Sequence, residues 1–568
     1  MLVRALSIAI ISLSCLHATD SGVNRAGRQA WIEGKSAHFH YFSSSSKAEL
    51  QAVARNLESL QYVLTQTSPS VPIQANLGPR ETYVYLFSQE SLFNDYRYRK
   101  DIVGWFRASY SGNFMAMLTE RRGAQQIIYH EYMHQYLHER FPKIPQWLDE
   151  GLAEFYSTIS FQGDDVRLGG PAEGRLRFMM ALKPIPTAQL LAQSEIMAGH
   201  SPTLEAQQFY AQAWLMVHYL IAGGSPERNR QFMTMLGHLA QGSTGVEAFR
   251  MAFPIDPKLL DDEIRLYLHQ ICTKRVIPIR RISVHIPPTD LAENATPMSP
   301  GDLQGRLGLL LQGSWNDDLA RAHFKEAFRL DPNCGPAWMG KAIYLSFSDK
   351  RDAFLDALEN AAKGCPGDPY PSWNAGSQLL RAYRPGSRSP SISESVLRGR
   401  ADLLQSLKIQ PDQPETLQLV AKSYLGDTAH FEEGKTFIQQ AIQRQPERLD
   451  LRYLLAMDYL LHLDNTAARP LFQEVAQSPN AAYADLAKQA LMELDNRDAN
   501  EELKRADAQK AAHRSAEALP LLLHAQTLAH DPELQTRIKQ ALANLQTPSD
   551  PTPSATKPKR TKASRKTK

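Results

Sequence analysis

Residues 130–134 read His-Glu-Tyr-Met-His, and residues 147–154 read Trp-Leu-Asp-Glu-Gly-Leu-Ala-Glu. On a helix, side chains four positions apart share a face. His130 and His134 can therefore aim two imidazoles at one metal ion, with Glu131 beside them as a candidate general base. Glu150, on the second segment, is the first choice for a third ligand, with Asp149 and Glu154 as alternatives. Water takes the fourth position of a catalytic zinc. His138 continues the four-residue spacing. Eight residues of helix rise about 12 Å, whereas a zinc–nitrogen bond is about 2 Å, so a straight helix cannot offer all three histidines to one ion. His138 is expected at the surface or in packing.

These side chains need two helices to hold them. Gly and Pro are absent from residues 124–141, so one helix can span the first segment, and Pro142 and Pro145 then end it. Pro145 suits the start of a second helix, which puts Glu150 and Glu154 on one face. Gly151 is expected to let this helix approach the histidine helix closely.

The pair HEYMH and PQWLDEGLAEF resembles the gluzincin branch of zinc peptidases, and is most similar to bacterial peptidase-MA-like domains. The resemblance implies an α+β zincin-like fold and one Zn2+ per chain, held by His130, His134 and Glu150. It implies Glu131 as the catalytic base and Glu154 as a carboxylate orienting His130. The fifteen residues between His134 and Glu150 are fewer than in the well-known gluzincins. In the similar aminopeptidases a tyrosine opening a later helix donates to the oxyanion. Tyr210, in the helical stretch 209–220, matches that place, a core or interface tyrosine being the other reading; His218 is expected to be structural. In the similar enzymes an edge strand pairs with the substrate backbone, and residues 114–117 are the candidate for it.

A chain of 568 residues exceeds one core, and its 43% apolar and 22% charged content is that of soluble globular protein. The net charge of +3 hides an asymmetry, because residues 557–568 alone carry seven basic side chains. Such a tail, residues 546–568, is expected to be disordered and solvated, with weak contact to acidic polymers, nucleic acid or anionic lipid as the alternative. Residues 1–18 read as a signal peptide: Arg4 precedes the uncharged run 5–16, and Leu16-His17-Ala18 offers a cleavage site. Export to the periplasm or the extracellular space follows. The run is too short for a membrane span, and Ser12-Leu13-Ser14-Cys15 is a poor lipoprotein box. The remaining cysteines, 272, 334 and 365, form no disulfide framework.

Residues 37–43, 82–87, 104–109 and 114–118 pattern as strands, residues 48–67 as a helix, and residues 172–272 as mostly helical. The metallopeptidase-like domain is thus expected over 19–275. Residues 276–299, rich in Pro and polar side chains, read as a linker. Beyond it Pro332, Pro366, Pro411, Pro446 and Pro479 close successive helical patterns at spacings of 34, 45, 35 and 33, the long interval holding a loop at 383–390. Residues 300–545 therefore resemble an all-α tetratricopeptide array, whose period is 34 and whose concave face takes peptides or protein partners. The leading expectation is a zinc metallopeptidase acting on peptide or protein substrates, with an attached interaction array. The alternatives are a non-catalytic scaffold with a relic zincin domain, and a zinc hydrolase of non-peptide amides.

Overall fold

Residues 82–87 (Thr-Tyr-Val-Tyr-Leu-Phe) send Tyr83, Tyr85 and Phe87 to one side of an extended chain and Val84 and Leu86 to the other. In the computed structural model all six are buried, which requires cover on both faces. The structure describes residues 23–546 except 24, 68–78, 110, 122, 142, 193–203, 288–290, 292–293, 382, 384–391, 447 and 479–480. The expected signal peptide, the helix-ending Pro142, most of the loop at 383–390 and the basic tail beyond Gln546 lie outside the described residues.

The N-terminal part is an α/β domain. Its strands β1 (Ile32–Lys35), β2 (Phe39–Ser43), β3 (Thr82–Phe87), β4 (Gly104–Ser109) and β5 (Gly112–Leu118) belong to one mixed sheet. A second sheet joins β6 (Ser160–Gln162), β7 (Asp165–Leu168) and β8 (Arg280–Ser283). With β9 (Thr296–Pro297), the first sheet has the order β4-β5-β3-β2-β1-β9; β3 pairs parallel with β2 and β5, and the other pairs are antiparallel. One face of this sheet, with Phe39, Tyr41, Val84, Leu86, Met115 and Met117, packs on helix Lys47–Thr67 and on the motif helix Ala124–His138. Gly123, at φ 88°, adopts the left-handed conformation that leads into the motif helix. Helices Glu173–Ala181, Leu204–His218, Pro226–Ala240 and Pro257–Lys274 complete this half.

Two expectations change here. Residues 276–299 are not a free linker, because they supply β8 to the second sheet and β9 to the edge of the first. Their Pro-rich composition masked short pairings that only partner strands define. Residues 114–117 are not an edge either. They lie in β5, which is paired on both sides, by β3 and by β4. The hairpin folds β4 outward, so β4 is the edge strand, and its Gly104 abuts Ile127 and Ile128 of the motif helix.

The other sheet face is covered by the start of the helical repeats. Phe42, Tyr83, Tyr85, Phe114 and Ala116 share one buried cluster with Leu303, Leu307, Leu310, Phe324 and Ala337. Polar contacts fix the register. The Tyr85 hydroxyl donates to Arg306 O at 2.9 Å, and the Tyr83 hydroxyl to Asp368 Oδ2 at 3.1 Å. The Arg107 guanidinium donates to the carbonyls of Leu309, Leu310 and Gln312, at the C-terminal end of helix Pro300–Leu311 where carbonyls lack helical partners. Among the described residues, those up to Tyr383 together with Ser393–Val420 accordingly form one compact unit, and those from Ala421 onward a second.

The C-terminal part is a tetratricopeptide-like array of helix pairs. In the first unit the pairs are Pro300–Leu311 with Asp317–Leu330, Gly335–Leu345 with Arg351–Gly364, and Tyr370–Leu380 with Glu394–Ile409. Gly308 and Gly340 leave room for the Phe324 ring: an added Cβ would meet it at 2.6 and 2.2 Å. In the second unit Leu449–Leu461 pairs with Asn465–Ala476, and the long helix Ala481–Ala511 pairs with Ser515–Leu528. Among the described residues no helix is long and apolar enough to cross a membrane.

Candidate functional site

The motif helix runs Ala124–His138, without the break that Gly or Pro would introduce. It buries Ile128, Tyr129, Tyr132, Met133, Tyr136 and Leu137, leaving the partly exposed His130, Glu131 and His134 for the site. The carboxylate helix, Gln146–Ser157, packs beside it and buries Trp147, Leu148, Leu152 and Phe155. Gly151 sets the spacing of this second helix, though not against the histidine helix as expected. An added Cβ there would lie 2.5 Å from Val217 Cγ2 and 2.6 Å from Ala213 O, so its close neighbour is helix Leu204–His218.

Three side-chain atoms converge. His130 Nε2 and His134 Nε2 lie 3.1 Å apart, and Glu150 Oε2 lies 3.5 Å from the first and 3.6 Å from the second. These residues form a set able to hold one metal ion. Asp149 occupies the far side of His134: its Oδ1 is 2.8 Å from His134 Nδ1, and its Oδ2 is 2.7 Å from the exposed His138 Nε2. The ligand atoms of His134, His138 and Asp149 also lie within 4.8 Å of one another, close enough to hold an ion. That trio spends Asp149 on two direct ion pairs, whereas the first set points three ligand atoms at one place.

The charges are strongly unbalanced. Burial would raise the Glu150 carboxyl, but hydrogen bonds from His130 and His134 bring it down to about 2. Burial likewise opposes Asp149, which His134 and His138 bring to about 2. Burial would lower His134, yet Asp149 and Glu150 raise it to about 11. This cluster therefore demands positive charge beside its carboxylates, as a proton or as a cation. Glu131 responds in the opposite sense. Burial raises its carboxyl, His130 and His134 counteract, and Glu150 and Asp149 add to the rise.

Glu154 comes within 3.8 Å of His130 Nδ1, outside hydrogen-bond reach. Its carboxylate is instead paired with the Arg175 guanidinium, which also donates to Gln207 Oε1 at 2.8 Å. Arg175 lies over the Tyr210 ring, 5.2 Å from its centroid. Burial pushes the Tyr210 phenol up to about 12, with Glu150, Glu154 and Glu131 contributing against Arg175. Tyr210 thus shares the electrostatic field of all three glutamates and keeps its proton at neutral pH. His218 is buried, with Nδ1 2.8 Å from the Tyr267 hydroxyl and Nε2 2.9 Å from Gly169 O. Sequence reasoning does not reach Arg175, which no motif marks, or the bridge that Asp149 makes between His134 and His138.

A family described only as "Protein of unknown function (DUF1570)" matches residues 125–243, a span containing every residue of this cluster. No curated protein matches. Solved structures with similarity include the APC/C hetero-tetramer Cut9–Hcn1, at 17% identity and TM-score 0.21, over 42% of this chain and 42% of that one. Pseudomonas aeruginosa pilF follows at 13% and 0.24, over 42% and 96%, and yeast Tom70 at 13% and 0.22, over 66% and 79%. The chain thus spans less than half the length of its Cut9–Hcn1 match and most of the other two. The tetratricopeptide-like character of the C-terminal part rests on its own helix pairs and proline spacing.

Proposed function

We propose that this protein is a zinc-dependent metallopeptidase whose repeats serve as a protein-interaction scaffold, and that the N-terminal apolar run directs its export. The observation that carries the reading is the triangle of His130 Nε2, His134 Nε2 and Glu150 Oε2, with sides of 3.1, 3.5 and 3.6 Å. Tetrahedral coordination with zinc–ligand bonds of about 2.0–2.1 Å separates donor atoms by about 3.3–3.4 Å. The donor set of two imidazoles and one carboxylate also leaves one position open, the pattern of catalytic zinc.

Zinc bound there supplies a Lewis acid and lowers the pKa of a bound water to about 7. The chain's own residues do the rest. Asp149 accepts the His134 Nδ1 proton, which fixes the tautomer and leaves Nε2 as the ligand atom. Glu131, its carboxyl raised by burial, accepts the proton of the attacking water as the new C–O bond forms. It then returns that proton to the amine nitrogen as the C–N bond breaks. Tyr210, protonated at neutral pH, donates a hydrogen bond to the carbonyl oxygen as negative charge builds there. Arg175 contacts both the Tyr210 ring and the Glu154 carboxylate, so it positions both.

The test is peptide-library cleavage by the zinc-loaded chain and by Glu131→Gln. The variant keeps its zinc and loses at least about 10²–10⁴-fold in rate, the range for a missing general base. Equal cleavage by both proteins contradicts the assignment of Glu131. No cleavage by the zinc-loaded chain across varied peptides leaves the repeats as the functional part.

A further inference from the structure

The first repeat carries an aromatic side chain into the neighbourhood of the site. Trp315 sits in the turn between helices Pro300–Leu311 and Asp317–Leu330 and is 45% exposed. Its ring stands edge-on to Tyr98 at 5.3 Å and edge-on to Trp105 at 5.4 Å. Tyr98 is 41% exposed, whereas Trp105 is buried and donates its indole N–H to Tyr96 O at 2.8 Å. The turn is pinned on both sides of Trp315: Asn316 Nδ2 donates to Asp95 O at 3.2 Å, and Gly313 N to Asp317 Oδ1 at 2.9 Å. Two large aromatic side chains are therefore held side by side, part of each open to solvent, on a rigid support.

Their position supplies the occupant. Trp105 belongs to β4, the edge strand, whose residues from Phe106 to Ser109 are all partly or fully exposed. Gly104, next to Trp105, abuts Ile127, which lies one turn before Glu131 on the motif helix. The Glu131 charge also reaches the Tyr98 phenol, which is raised first by burial and then by that carboxylate. An extended peptide that pairs with an open strand presents alternate side chains to the flanking surface.

We propose that Tyr98 and Trp315 form an aromatic subsite beside β4 that takes a bulky apolar side chain, phenylalanine-like, of a peptide lying extended along that edge. The inference rests on the peptidase reading for what happens to the peptide, but not for its binding. It makes the first repeat part of the substrate cleft.

The experiment uses fluorescein-labelled decapeptides built from alanine, serine and glycine, with one phenylalanine moved through each position. Binding is read by anisotropy on the full-length, zinc-loaded Glu131→Gln chain, and cleavage is read on the chain with Glu131 intact. Phenylalanine at one position is expected to tighten binding about tenfold, the scale of one ring–ring contact plus burial. Trp315→Ala and Tyr98→Ala each remove that preference while circular dichroism and zinc content stay unchanged, and Trp315→Phe retains most of it. If Trp315→Ala fails to fold, Tyr98→Ala and Trp315→Phe decide the matter. A preference that is absent, or that survives the alanine variants, overturns the subsite. Cleavage without a Trp315-dependent preference overturns the subsite alone. Trp315-dependent binding without cleavage keeps the subsite and sinks the peptidase reading. Neither binding nor cleavage overturns both.

Discussion

Cutting the chain after Ser299 is expected to unfold the α/β domain rather than release it. The cut leaves β9 in place but removes helix Pro300–Leu311 and all that follows. Phe42, Tyr83, Tyr85, Tyr96 and Phe114 are each 3% exposed or less in the intact protein, on the face that the first repeats cover. A buried aromatic hides about 150–250 Å². If the repeats shield about half of that area on these five rings, the cut uncovers about 400–600 Å². At about 25 cal/mol per Å² this costs about 10–15 kcal/mol, an upper bound because unfolded chains bury some surface themselves. A whole domain has about 5–15 kcal/mol to lose. Fragment 19–299 should therefore bind a hydrophobic dye, aggregate, or lack a cooperative urea transition, whereas fragment 19–410, which keeps the first three helix pairs, should melt cooperatively. A monomeric 19–299 fragment with the urea midpoint of the intact chain would refute the reasoning and restore 276–299 as a true linker.

Other expectations concern single side chains. Asp149→Ala should weaken zinc binding about 10–100-fold in a chelator competition, less than Glu150→Ala does. The reverse order would make Asp149 the ligand. Gly151→Ala places a Cβ 2.6 Å from the Ala213 carbonyl oxygen, which cannot move aside as a side chain would. A loss of about 1–3 kcal/mol in urea unfolding is expected, and unchanged stability would show that the two helices are not in tight contact. His323 is buried, with Nδ1 bonded to Gln304 and Nε2 3.0 Å from the Tyr96 hydroxyl, and burial lowers its pKa to about 3. Unfolding restores a value near 6.5, so stability from this group is full above about pH 6.5 and falls as the pH drops towards 3. At pH 5 the loss is about 2 kcal/mol, from 1.36 kcal/mol per pH unit. His323→Phe should flatten the slope of urea stability between pH 7.5 and 5, and an unchanged slope would contradict a neutral buried imidazole.

Much of the local structure was legible in the residues themselves, because period and punctuation are properties of a short stretch of chain. Residues 48–67 repeat apolar side chains at helical spacing, and the helix Lys47–Thr67 follows them. Residues 82–87 alternate, and β3 has those bounds. The four-residue spacing of His130 and His134 on an unbroken helix places their Nε2 atoms 3.1 Å apart, since one turn of helix is all that geometry needs. Proline spacing near 34 announced the helix pairs.

What the chain could not announce depended on partners distant in sequence. Alternation in β3 shows two apolar faces, but only the folded chain reveals that one face is met by Leu307 and Arg306 more than two hundred residues away. A Pro-rich segment reads as a linker until β1 and β7 supply hydrogen-bond partners for its strands. Which strand is the edge is decided by the direction of a hairpin, and that direction put β4 outside and residues 114–117 inside. Glu154 stands 3.8 Å from His130 Nδ1, and its carboxylate is paired with Arg175, a residue that no motif marks. Residue type and spacing set which side chains a single helix turn can bring together; burial, pairing and charge compensation across the molecule decide which partner each one takes.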